Sequence, residues 1–523
     1  MAETEHHNTI ARDTRTVALV TLLSRVFGLA RDLVTVRIFG DTLVGSAFAA
    51  AFAIPNLFRR LFGEGALSAA FIPKYTKLAQ HDPELADRYA SLILASLVGV
   101  TTTLLVLIEA VVLVLMALTD DPSRAFSLEL VAIVLPFMPM ICTTAILGGM
   151  LQIHGRFFPS AAAPIILNCC IIAAALLAMI LNLSPERAAV WIGASTLIAG
   201  GLQLAWVAAE LRGKVRWGRA FHGVASHARD TMSSFLPVLI GLGTLQLNAL
   251  ADTIIAMWPT WVGPTFFGHP VPMDEASNAV LGYTQRLYQF PLGVFGIAVA
   301  TAAFPALART ASNPKAFAST IARGLRLSLF IGLPASVGLL LVRQDLVAVM
   351  FSGGGGFSEQ GLHRASAVLA GYAIGVFAYS LNHLLSRAFY ALGDTRTPMR
   401  ISLAMVFLNI TGNLVLIWPL REAGLAWSTA ATAIVQTTLL AWMLRRKIGS
   451  LGAAIIPGMA RTAVLALLMG LVTWLVLGLI PEAEQWKGHA LRLVASVGAG
   501  MLTYAGLALV LRVPEGRWLI RGS

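Results

Sequence analysis

Long hydrophobic runs separated by short polar segments dominate this chain. A transmembrane helix needs about 20 mostly apolar residues, and fourteen segments fit that template. Their approximate bounds are 16–38, 43–62, 89–118, 128–151, 160–181, 187–210, 232–257, 277–306, 325–342, 365–390, 400–418, 423–444, 459–480 and 488–511. The pattern predicts an all-α polytopic membrane protein with about fourteen transmembrane helices.

The composition supports this class and excludes others. Of the 523 residues, 57% are hydrophobic and 12% are charged, with a mean hydropathy of +0.76. Soluble proteins carry about 25% charged residues, so this chain has too few to cover a water-facing surface. Cys142, Cys169 and Cys170 are its three cysteines and all lie in apolar runs, which excludes a disulfide-rich secreted domain.

The net charge of +12 is explained by membrane orientation. With the N-terminus placed in the cytoplasm, the inner loops and tails hold 25 basic residues and the outer loops hold 8. Basic residues concentrate on the cytoplasmic side of membrane proteins, so both termini are predicted to be cytoplasmic. Nucleic acid is not needed to explain the charge. Residues 1–15 are predicted to form a cytoplasmic tail, because the charges in the first span exclude a cleavable signal.

Five arginines remain inside or at the edge of a predicted span, and each costs about 2.5–3.5 kcal/mol at a helix centre on insertion scales. They are Arg25, Arg31, Arg59, Arg60 and Arg286. Asp32 and Glu64 lie near them and leave a positive surplus. A cation substrate is therefore disfavoured. Arginine forks suit phosphate oxygens, so the surplus predicts a polyanionic ligand in a central, water-filled cavity.

Internal neutralisation is the competing interpretation for two of these arginines. Arg25 and Asp32 are seven residues apart on nearly the same helical face, and Arg60 and Glu64 have i,i+4 spacing. The sequence leaves both alternatives open for these pairs. Arg31 directly precedes Asp32, where adjacent side chains are predicted to diverge.

Two of the charged spans are also interrupted. Pro55 lies within span two and Pro291 within span eight, each followed by glycines. The strings Ala-Ala-Phe-Ile-Pro at 69–73 and Ala-Ala-Phe-Pro at 302–305 end these spans, about 233 residues and six spans apart. Interruptions at corresponding positions of two halves point to a transporter's binding site. An even number of spans per repeat predicts parallel repeats.

Several strings resemble the MurJ/MviN family of lipid II flippases. They are Thr21–Gly28 with Arg31-Asp32 and Arg37–Gly40, Ile54–Phe62 with Glu64–Ala66, Arg286 with Phe290-Pro291 and Gly293, and Tyr390–Pro398. The resemblance runs from about residue 16 to the C-terminus, and the string in span two is long and specific.

The resemblance implies two pseudo-symmetric six-helix lobes plus two C-terminal helices. The corresponding bounds are 1–15 for the cytoplasmic tail, 16–230 for the N-lobe, 231–447 for the C-lobe and 448–523 for helices 13 and 14 with a cytoplasmic tail. It also implies alternating access that moves lipid II, an undecaprenyl-diphosphate-linked disaccharide pentapeptide, from the inner to the outer leaflet of the bacterial cytoplasmic (inner) membrane.

The same resemblance implies a substrate-binding set. Its members are Ser24, Arg25, Arg31, Asn56, Arg59, Glu64 and Arg286. Two departures remove negative charge. Ser46 and Gln289 stand where many members carry acidic residues, which puts the acidic half of any gate or coupling step in doubt. The partners implied are lipid II and membrane lipids, with no nucleic acid, and the functional unit is predicted to be a monomer.

A second constellation concerns a coupling cation, sodium or a proton. Asn409 and Asn413 have i,i+4 spacing on span eleven, Thr429 lies in span twelve and Asp252 lies in span seven. Oxygen atoms from three helices would suit sodium. Polar residues also tie membrane helices together, and that alternative is the stronger one. No other cofactor is predicted.

Two other functions remain as alternatives. One is a cation-coupled exporter of another anionic lipid or solute in the same superfamily. Drug exporters of that superfamily typically have twelve spans and an acidic cavity, so fourteen spans and surplus arginine argue against a drug as the cargo. A polytopic lipid-linked glycosyltransferase would need a carboxylate or metal constellation at the membrane surface, and the sequence shows none, so the protein is predicted not to be an enzyme. The glycine-rich tract Ser352–Gly356 lacks the Gly-Lys-Ser/Thr ending of a phosphate loop and is predicted to be a flexible turn.

Overall fold

Helices form at all fourteen predicted spans. The computed structural model describes residues 2–63, 66–353, 356–449, 455–481 and 485–521. Within those residues, nine segments are long and apolar enough to cross a membrane. The other five predicted spans coincide with helices that begin at Ala2, Leu43, Ala225, Ser277 and Glu422. Glu64 and the centre of the glycine-rich tract, residues 354–355, lie outside the described residues.

The chain divides into two compact units. The first comprises Met1–Gly268 with Asp274–Ala279, and the second comprises His269–Met273 with Val280–Ser523. Each has its own apolar core, centred on residues such as Phe71, Tyr89 and Phe137 in the first unit and Phe317, Leu384 and Phe389 in the second.

The first unit is built from ten α-helices and a five-residue π-helical turn, π1, within its described residues. They are α1 (Ala2–Phe39), α2 (Leu43–Phe58), π1 (Arg59–Gly63), α3 (Ala66–His81), α4 (Pro83–Ala117), α5 (Pro122–Val134), α6 (Phe137–Ile153), α7 (Phe157–Ile180), α8 (Pro185–Glu210), α9 (Ala225–Ala256) and α10 (Trp258–Trp261). The two-residue strands β1 (Thr265–Phe266) and β2 (His269–Pro270) follow in the loop after α10.

The remaining helices belong to the second unit, apart from the first residues of α11. They are α11 (Ser277–Pro291), the π turn π2 (Leu292–Gly296), α12 (Ile297–Thr310), α13 (Pro314–Phe351), α14 (Glu359–Ala391), α15 (Arg396–Leu420), α16 (Glu422–Ile448), α17 (Ile455–Leu479), α18 (Trp486–Val510) and α19 (Pro514–Arg521).

Proline explains where the structure departs from the simple span pattern. The span predicted at 128–151 consists of α5 and α6, which meet at Leu135 and Pro136. Proline lacks the N–H of a helical hydrogen bond and crowds the preceding turn, so one continuous α-helix cannot run through this point undisturbed. By contrast, α1 continues back to Ala2 through the segment predicted as a tail, and α13 runs well beyond the predicted 325–342 at both ends.

The two π turns occupy corresponding positions in the sequences of the two units. π1 begins at Arg59 and π2 begins at Leu292, an offset of 292 − 59 = 233 residues. Pro55 precedes π1 by one helical turn, and Pro291 directly precedes π2. π turns of this kind occur frequently at functional sites. Their equal length and register agree with the offset expected from the sequence strings.

Candidate functional site

Arg31 on α1 is held in place by two side chains, those of Asp32 and Asn168. Its Nη2 lies 2.6 Å from Oδ1 of Asp32, and its Nε donates to the same oxygen at 3.0 Å. Its Nη1 donates to Oδ1 of Asn168 at 3.1 Å. The expectation that Arg31 and Asp32 diverge is therefore wrong, because the long arginine side chain turns back to reach the short carboxylate beside it.

Asn168 on α7 is a residue of this site that sequence reasoning missed. It is buried, and its Nδ2 donates to the carbonyl oxygen of Ser24 at 3.3 Å while its Oδ1 accepts from Arg31. One amide thus joins two turns of α1 to α7. The signal was present in the sequence, because Asn168 stands alone in an apolar run of alanine, isoleucine and leucine. Its partner is too far along the chain for helical spacing to reveal.

Two further predicted residues lie on α1. Ser24 is partly exposed and contributes its backbone carbonyl to the Asn168 contact, while Arg25 is exposed. The Asp32 carboxylate that was considered as the partner of Arg25 binds Arg31 instead. Asp32 has other interactions as well. The local geometry favours Arg31 as the arginine that Asp32 fixes in position.

Arg59 occupies the first position of π1. Its Nε donates to Oδ1 of Asn56 at 3.3 Å, and the Nδ2 of Asn56 donates to the carbonyl oxygen of Phe52 at 3.1 Å. Asn56 thus bonds back to the preceding turn of α2 through its amide nitrogen and orients Arg59 through its amide oxygen. The hydrogen bond joins two members of the predicted set, whose role in substrate binding stays a prediction.

Arg60 follows on π1 and is exposed. Its Nη1 donates to Oε1 of Gln246 on α9 at 3.3 Å. Beside it, Phe62 packs against Phe235 of α9 with ring centroids 5.8 Å apart. These contacts join the π turn to α9 within the first unit. The predicted Arg60–Glu64 pairing involves a residue outside the described part of the chain and stays a prediction.

Arg286 on α11 is exposed, and a tyrosine stack fixes the opposite face of its helix. Tyr288 stacks on Tyr372 of α14 with ring centroids 4.5 Å apart, and Tyr379 lies 5.3 Å from Tyr288. Residues two apart on an α-helix point to nearly opposite sides. Burial of Tyr288 therefore presents Arg286 away from the α11–α14 contact.

Ser46, where the family pattern often has an acid, has a structural role. It is fully buried, its Oγ accepts the backbone N–H of Ala279 at 2.9 Å, and its carbonyl oxygen accepts Nδ2 of Asn278 at 2.8 Å. The first N–H groups of a helix lack intrahelical partners. Ser46 satisfies one of them at the start of α11, a task that a neutral hydroxyl performs without burying a charge. Gln289, the other departure, is partly buried on α11.

The polar residues considered for a cation are divided between the units. Asn409, Asn413 and Thr429 meet at the contact of α15 and α16, where Nδ2 of Asn409 lies 3.3 Å from Oγ1 of Thr429 and Nδ2 of Asn413 lies 3.4 Å from Oδ1 of Asn409. Asp252 is buried on α9 of the first unit. The hydroxyl of Thr429 also donates to a backbone carbonyl at 2.9 Å. The bond between Asn409 and Thr429 ties α15 to α16, as helix-packing polar residues do, whereas the other two bonds lie within a single helix.

Glu109, in the middle of α4, is a second residue that sequence reasoning passed over. It lies in a long apolar run, and among the described residues no hydrogen-bond partner reaches its Oε2. A carboxyl group inside a transmembrane helix is uncommon. The surplus of basic charge counted from the arginines is therefore smaller by one potential negative charge in the first unit.

Among the residues that the structure describes, no group of three or more His, Cys, Asp or Glu side chains could hold a metal ion.

Comparison with known proteins finds relatives of this chain by sequence and by fold. The family "Lipid II flippase MurJ" matches residues 35–493. A "Probable lipid II flippase MurJ" of Vibrio cholerae serotype O1 is 30% identical over 535 aligned residues, covering 95% of each chain. One of Rhizobium tropici is 31% identical over 443 residues, covering 83% of this chain and 80% of the relative.

Solved structures agree on the architecture. A structure described as "Lipid II flippase MurJ, inward closed conformation" matches with a TM-score of 0.78 at 20% identity, covering 95% of this chain and 99% of the other. An inward-facing multidrug resistance MATE transporter of the MOP superfamily matches with a TM-score of 0.68 at 14% identity, over 83% and 98% of the two chains. The predicted two-lobe helical fold is confirmed by these matches.

Proposed function

This chain belongs to the lipid II flippase MurJ family, and from that premise we propose that it moves lipid II from the inner to the outer leaflet of the bacterial cytoplasmic membrane by alternating access. Both termini are assigned to the cytoplasm, on the distribution of basic residues. No covalent bond is made or broken in this step, so the protein acts as a transporter. We assign it as a functional monomer.

The observation that carries the substrate assignment is the presence of oriented guanidinium groups inside transmembrane helices. Arg31 is fixed by Asp32 and Asn168, and Arg59 is fixed by Asn56 on a π turn. Both remain partly exposed, as an arginine must be to reach a ligand. Guanidinium groups bind phosphate oxygens through paired N–H donors, and lipid II carries a diphosphate between its sugar and its lipid tail.

The proposal therefore assigns the diphosphate to Arg25, Arg31, Arg59 and Arg286. Ser24, Asn56 and Glu64 are kept as supporting members of the predicted set. Ligand binding shifts a conformational equilibrium only through a difference in affinity between the two states. We accordingly expect these arginines to hold the diphosphate more tightly in the inward-open state than in the outward-open state.

A coupling cation is a secondary part of the proposal. The bond between Asn409 and Thr429 supports a helix contact as the role of these residues, and the amide oxygen of the buried Asn413 is the oxygen that would suit a cation. Sodium binding there would raise the melting temperature of the purified protein above that in potassium at equal ionic strength. An identical melting temperature in both salts would leave protons or the substrate gradient to drive the cycle.

The decisive experiment measures the exposure of lipid II at the outer leaflet in cells depleted of their own flippase and carrying this gene. Restored exposure is expected, and Arg59→Ala or Arg286→Ala is expected to abolish it at normal membrane levels of the protein. Arg187→Ala and Arg309→Ala, at exposed positions at the ends of α8 and α12, serve as matched controls that retain exposure.

Two results would count against the proposal. Wild-type exposure from both Arg59→Ala and Arg286→Ala would remove these arginines from substrate binding. Failure of the unchanged protein to restore exposure, despite normal insertion, would indicate an exporter of another anionic lipid or solute with the same fold.

A further inference from the structure

The loop that follows α8 combines basic and aromatic residues. Its residues 212–222, here called the basic-aromatic loop, carry four basic side chains, two aromatic side chains and no acidic residue. They are Arg212, Lys214, Arg216 and Arg219, with Trp217 and Phe221. The proposed function uses the charge of this segment only to assign the orientation in the membrane, and it does not account for the aromatic residues that accompany the charge.

The basic-aromatic loop is anchored on the first turns of α4. The backbone N–H of Arg216 donates to Oδ2 of Asp87 at 3.0 Å, and the N–H of Gly218 donates to Oγ of Ser91 at 3.2 Å. Nη1 of Arg88 lies 3.0 Å from Nε2 of His222. The side chain of Val215, within the loop, is buried. These contacts give the loop a defined shape and fix which side chains face outward.

Its basic side chains differ from the basic residues around them. Arg212, Arg216 and Arg219 are exposed, and within the described residues their guanidinium groups have no hydrogen bond or ion pair. Nearby, Lys74 binds Asp230 at 2.8 Å and Arg88 lies 3.3 Å from Glu84. These two cations are therefore paired with carboxylates, whereas the guanidinium groups of the loop are available to an external anion.

The aromatic residues indicate which anion this is. Trp217 is 44% exposed and Phe221 is 38% exposed, and both follow closely on the end of the α8 span. Aromatic side chains at the ends of transmembrane helices lie at the level of the lipid headgroups. A soluble polyanion would match the positive charge but would not account for two apolar side chains turned outward at this depth.

We propose that the basic-aromatic loop is a binding surface for the anionic phospholipid headgroups of the membrane leaflet next to the end of α8. Arg212, Lys214, Arg216 and Arg219 contact headgroup phosphates, while Trp217 and Phe221 enter the headgroup layer. Clusters of four or more basic residues beside a transmembrane helix bind acidic lipids in this way. The assignment of that leaflet as cytoplasmic rests on the proposed orientation, whereas the binding surface does not depend on lipid II transport.

The test measures how accessible the basic-aromatic loop is to water in the reconstituted protein. A variant with Cys142, Cys169 and Cys170 replaced by alanine and with Ala220→Cys carries one environment-sensitive fluorophore on the exposed loop. The full-length protein is placed in phosphatidylcholine vesicles with increasing phosphatidylglycerol, and quenching by aqueous acrylamide is measured. We expect quenching to fall severalfold as phosphatidylglycerol rises, and to recover at high salt, because salt screens charges near the surface.

Matched variants separate this surface from general charge. The triple change Arg212→Gln, Arg216→Gln and Arg219→Gln should remove the response, since each basic residue near an anionic surface contributes a factor of about five to binding. The same loss of charge at exposed Arg309, Lys315 and Arg400 should leave the response intact. Trp217→Ala should weaken protection but preserve its dependence on salt.

Three outcomes would overturn the proposal. They are equal protection in pure phosphatidylcholine, protection that survives the triple change, and stronger protection by added RNA or an acidic peptide than by phosphatidylglycerol. The salt titration needs only the labelled, otherwise unaltered loop, so the test remains informative even where the triple variant inserts poorly. None of these readouts involves lipid II, so failure here leaves the proposed transport function untouched.

Discussion

Arg31 in the first unit and Arg364 in the second each approach a carboxylate oxygen to 2.6 Å, yet the two pairs are built in opposite ways. The carboxylate of Arg31 belongs to the next residue on the same helix, and both side chains remain partly exposed. The carboxylate of Arg364 is Glu422, the first residue of α16, which is buried. Equal distances therefore accompany different roles.

A local pair orients a charge without joining helices. Asp32 can fix the direction of Arg31 but adds no contact between distant parts of the chain, and Asn168 supplies the link to α7 instead. Such an arrangement leaves the carboxylate partly exposed, at 19% for Asp32. It suits the proposed role of Arg31, in which the direction of the guanidinium group matters more than the stability of the fold.

A remote pair joins helices through a buried carboxylate. Arg364 ties α14 to α16, and Arg326 of α13 binds Glu515 of α19 at 2.5 Å. At the other end of α13, Asp345 contacts His489 of α18 at 2.7 Å. All three carboxylates are buried. The second unit thus uses buried carboxylates to hold its helices together, while the first unit uses Asp32 to present an arginine.

The strongest test of this contrast removes the buried pair. Arg364→Met leaves Glu422 buried with a reduced set of partners, which typically costs about 3–5 kcal/mol of stability. Arg421 lies 3.8 Å from the other oxygen of Glu422, so we expect a loss near the lower end of that range. Thermal or denaturant unfolding of the purified protein in detergent measures it.

The double change Arg364→Met with Glu422→Leu is the matched control. It removes both charges, and replacing a buried ion pair by apolar residues is often neutral or stabilising. We expect it to recover most of the loss. Unfolding of Arg364→Met at the wild-type midpoint would show that the pair does not hold α14 to α16.

A smaller effect is expected at the Arg31 site. Asn168→Ala removes one acceptor from Arg31, and hydrogen bonds to charged groups contribute about 1.5–3 kcal/mol. Because the bond orients an arginine that is proposed to bind the diphosphate, lipid II exposure should fall more than stability does. A double-mutant cycle with Arg31→Gln measures the coupling between the two residues. Strict additivity in that cycle would show that Asn168 does not act through Arg31.

These pairs also show what the sequence could and could not predict. Helix positions and the two interruptions follow from local patterns, and Pro55 and Pro291 correctly marked where α2 and α11 give way to π turns. The joint role of Asn56 and Arg59 was accessible too, because their i,i+3 spacing is local. Interactions between residues close in sequence can therefore be predicted from their spacing.

Interactions between residues distant in sequence cannot be predicted in this way. Asn168 meets Arg31 across 137 residues, and Glu515 meets Arg326 across 189. Neither pairing can be derived from one sequence, because spacing along a helix does not specify which helices pack together. The Arg31–Asp32 error has a different origin. Backbone geometry separates neighbouring side chains, but a long flexible arginine can reverse its direction.

Of the pairs compared here, the one expected to contribute least to stability lies at the end of α16, outside the predicted membrane spans. Nζ of Lys447 donates to Oδ2 of Asp394 at 2.7 Å, and the N–H and hydroxyl of Thr397 donate to the same carboxylate. Burial alone would raise the pKa of Asp394, but these hydrogen bonds outweigh it and hold the pKa at about 2. The folded pKa is therefore below the unfolded value of about 3.9.

A depressed carboxylate pKa stabilises the fold above the unfolded pKa, and the contribution disappears as the pH falls through the folded pKa. Lys447→Met should lower the free energy of unfolding at neutral pH by less than about 1 kcal/mol, the usual range for an exposed pair. The difference from wild type should stay constant down to about pH 4 and shrink towards about pH 2. Arg446→Met, whose guanidinium lies 3.8 Å from the ring of Trp442, provides a neighbouring charge loss without that pH dependence. If both variants show the same profile, Lys447 stabilises through general charge, and the graded series from Arg364 through Arg31 to Lys447 loses its last member.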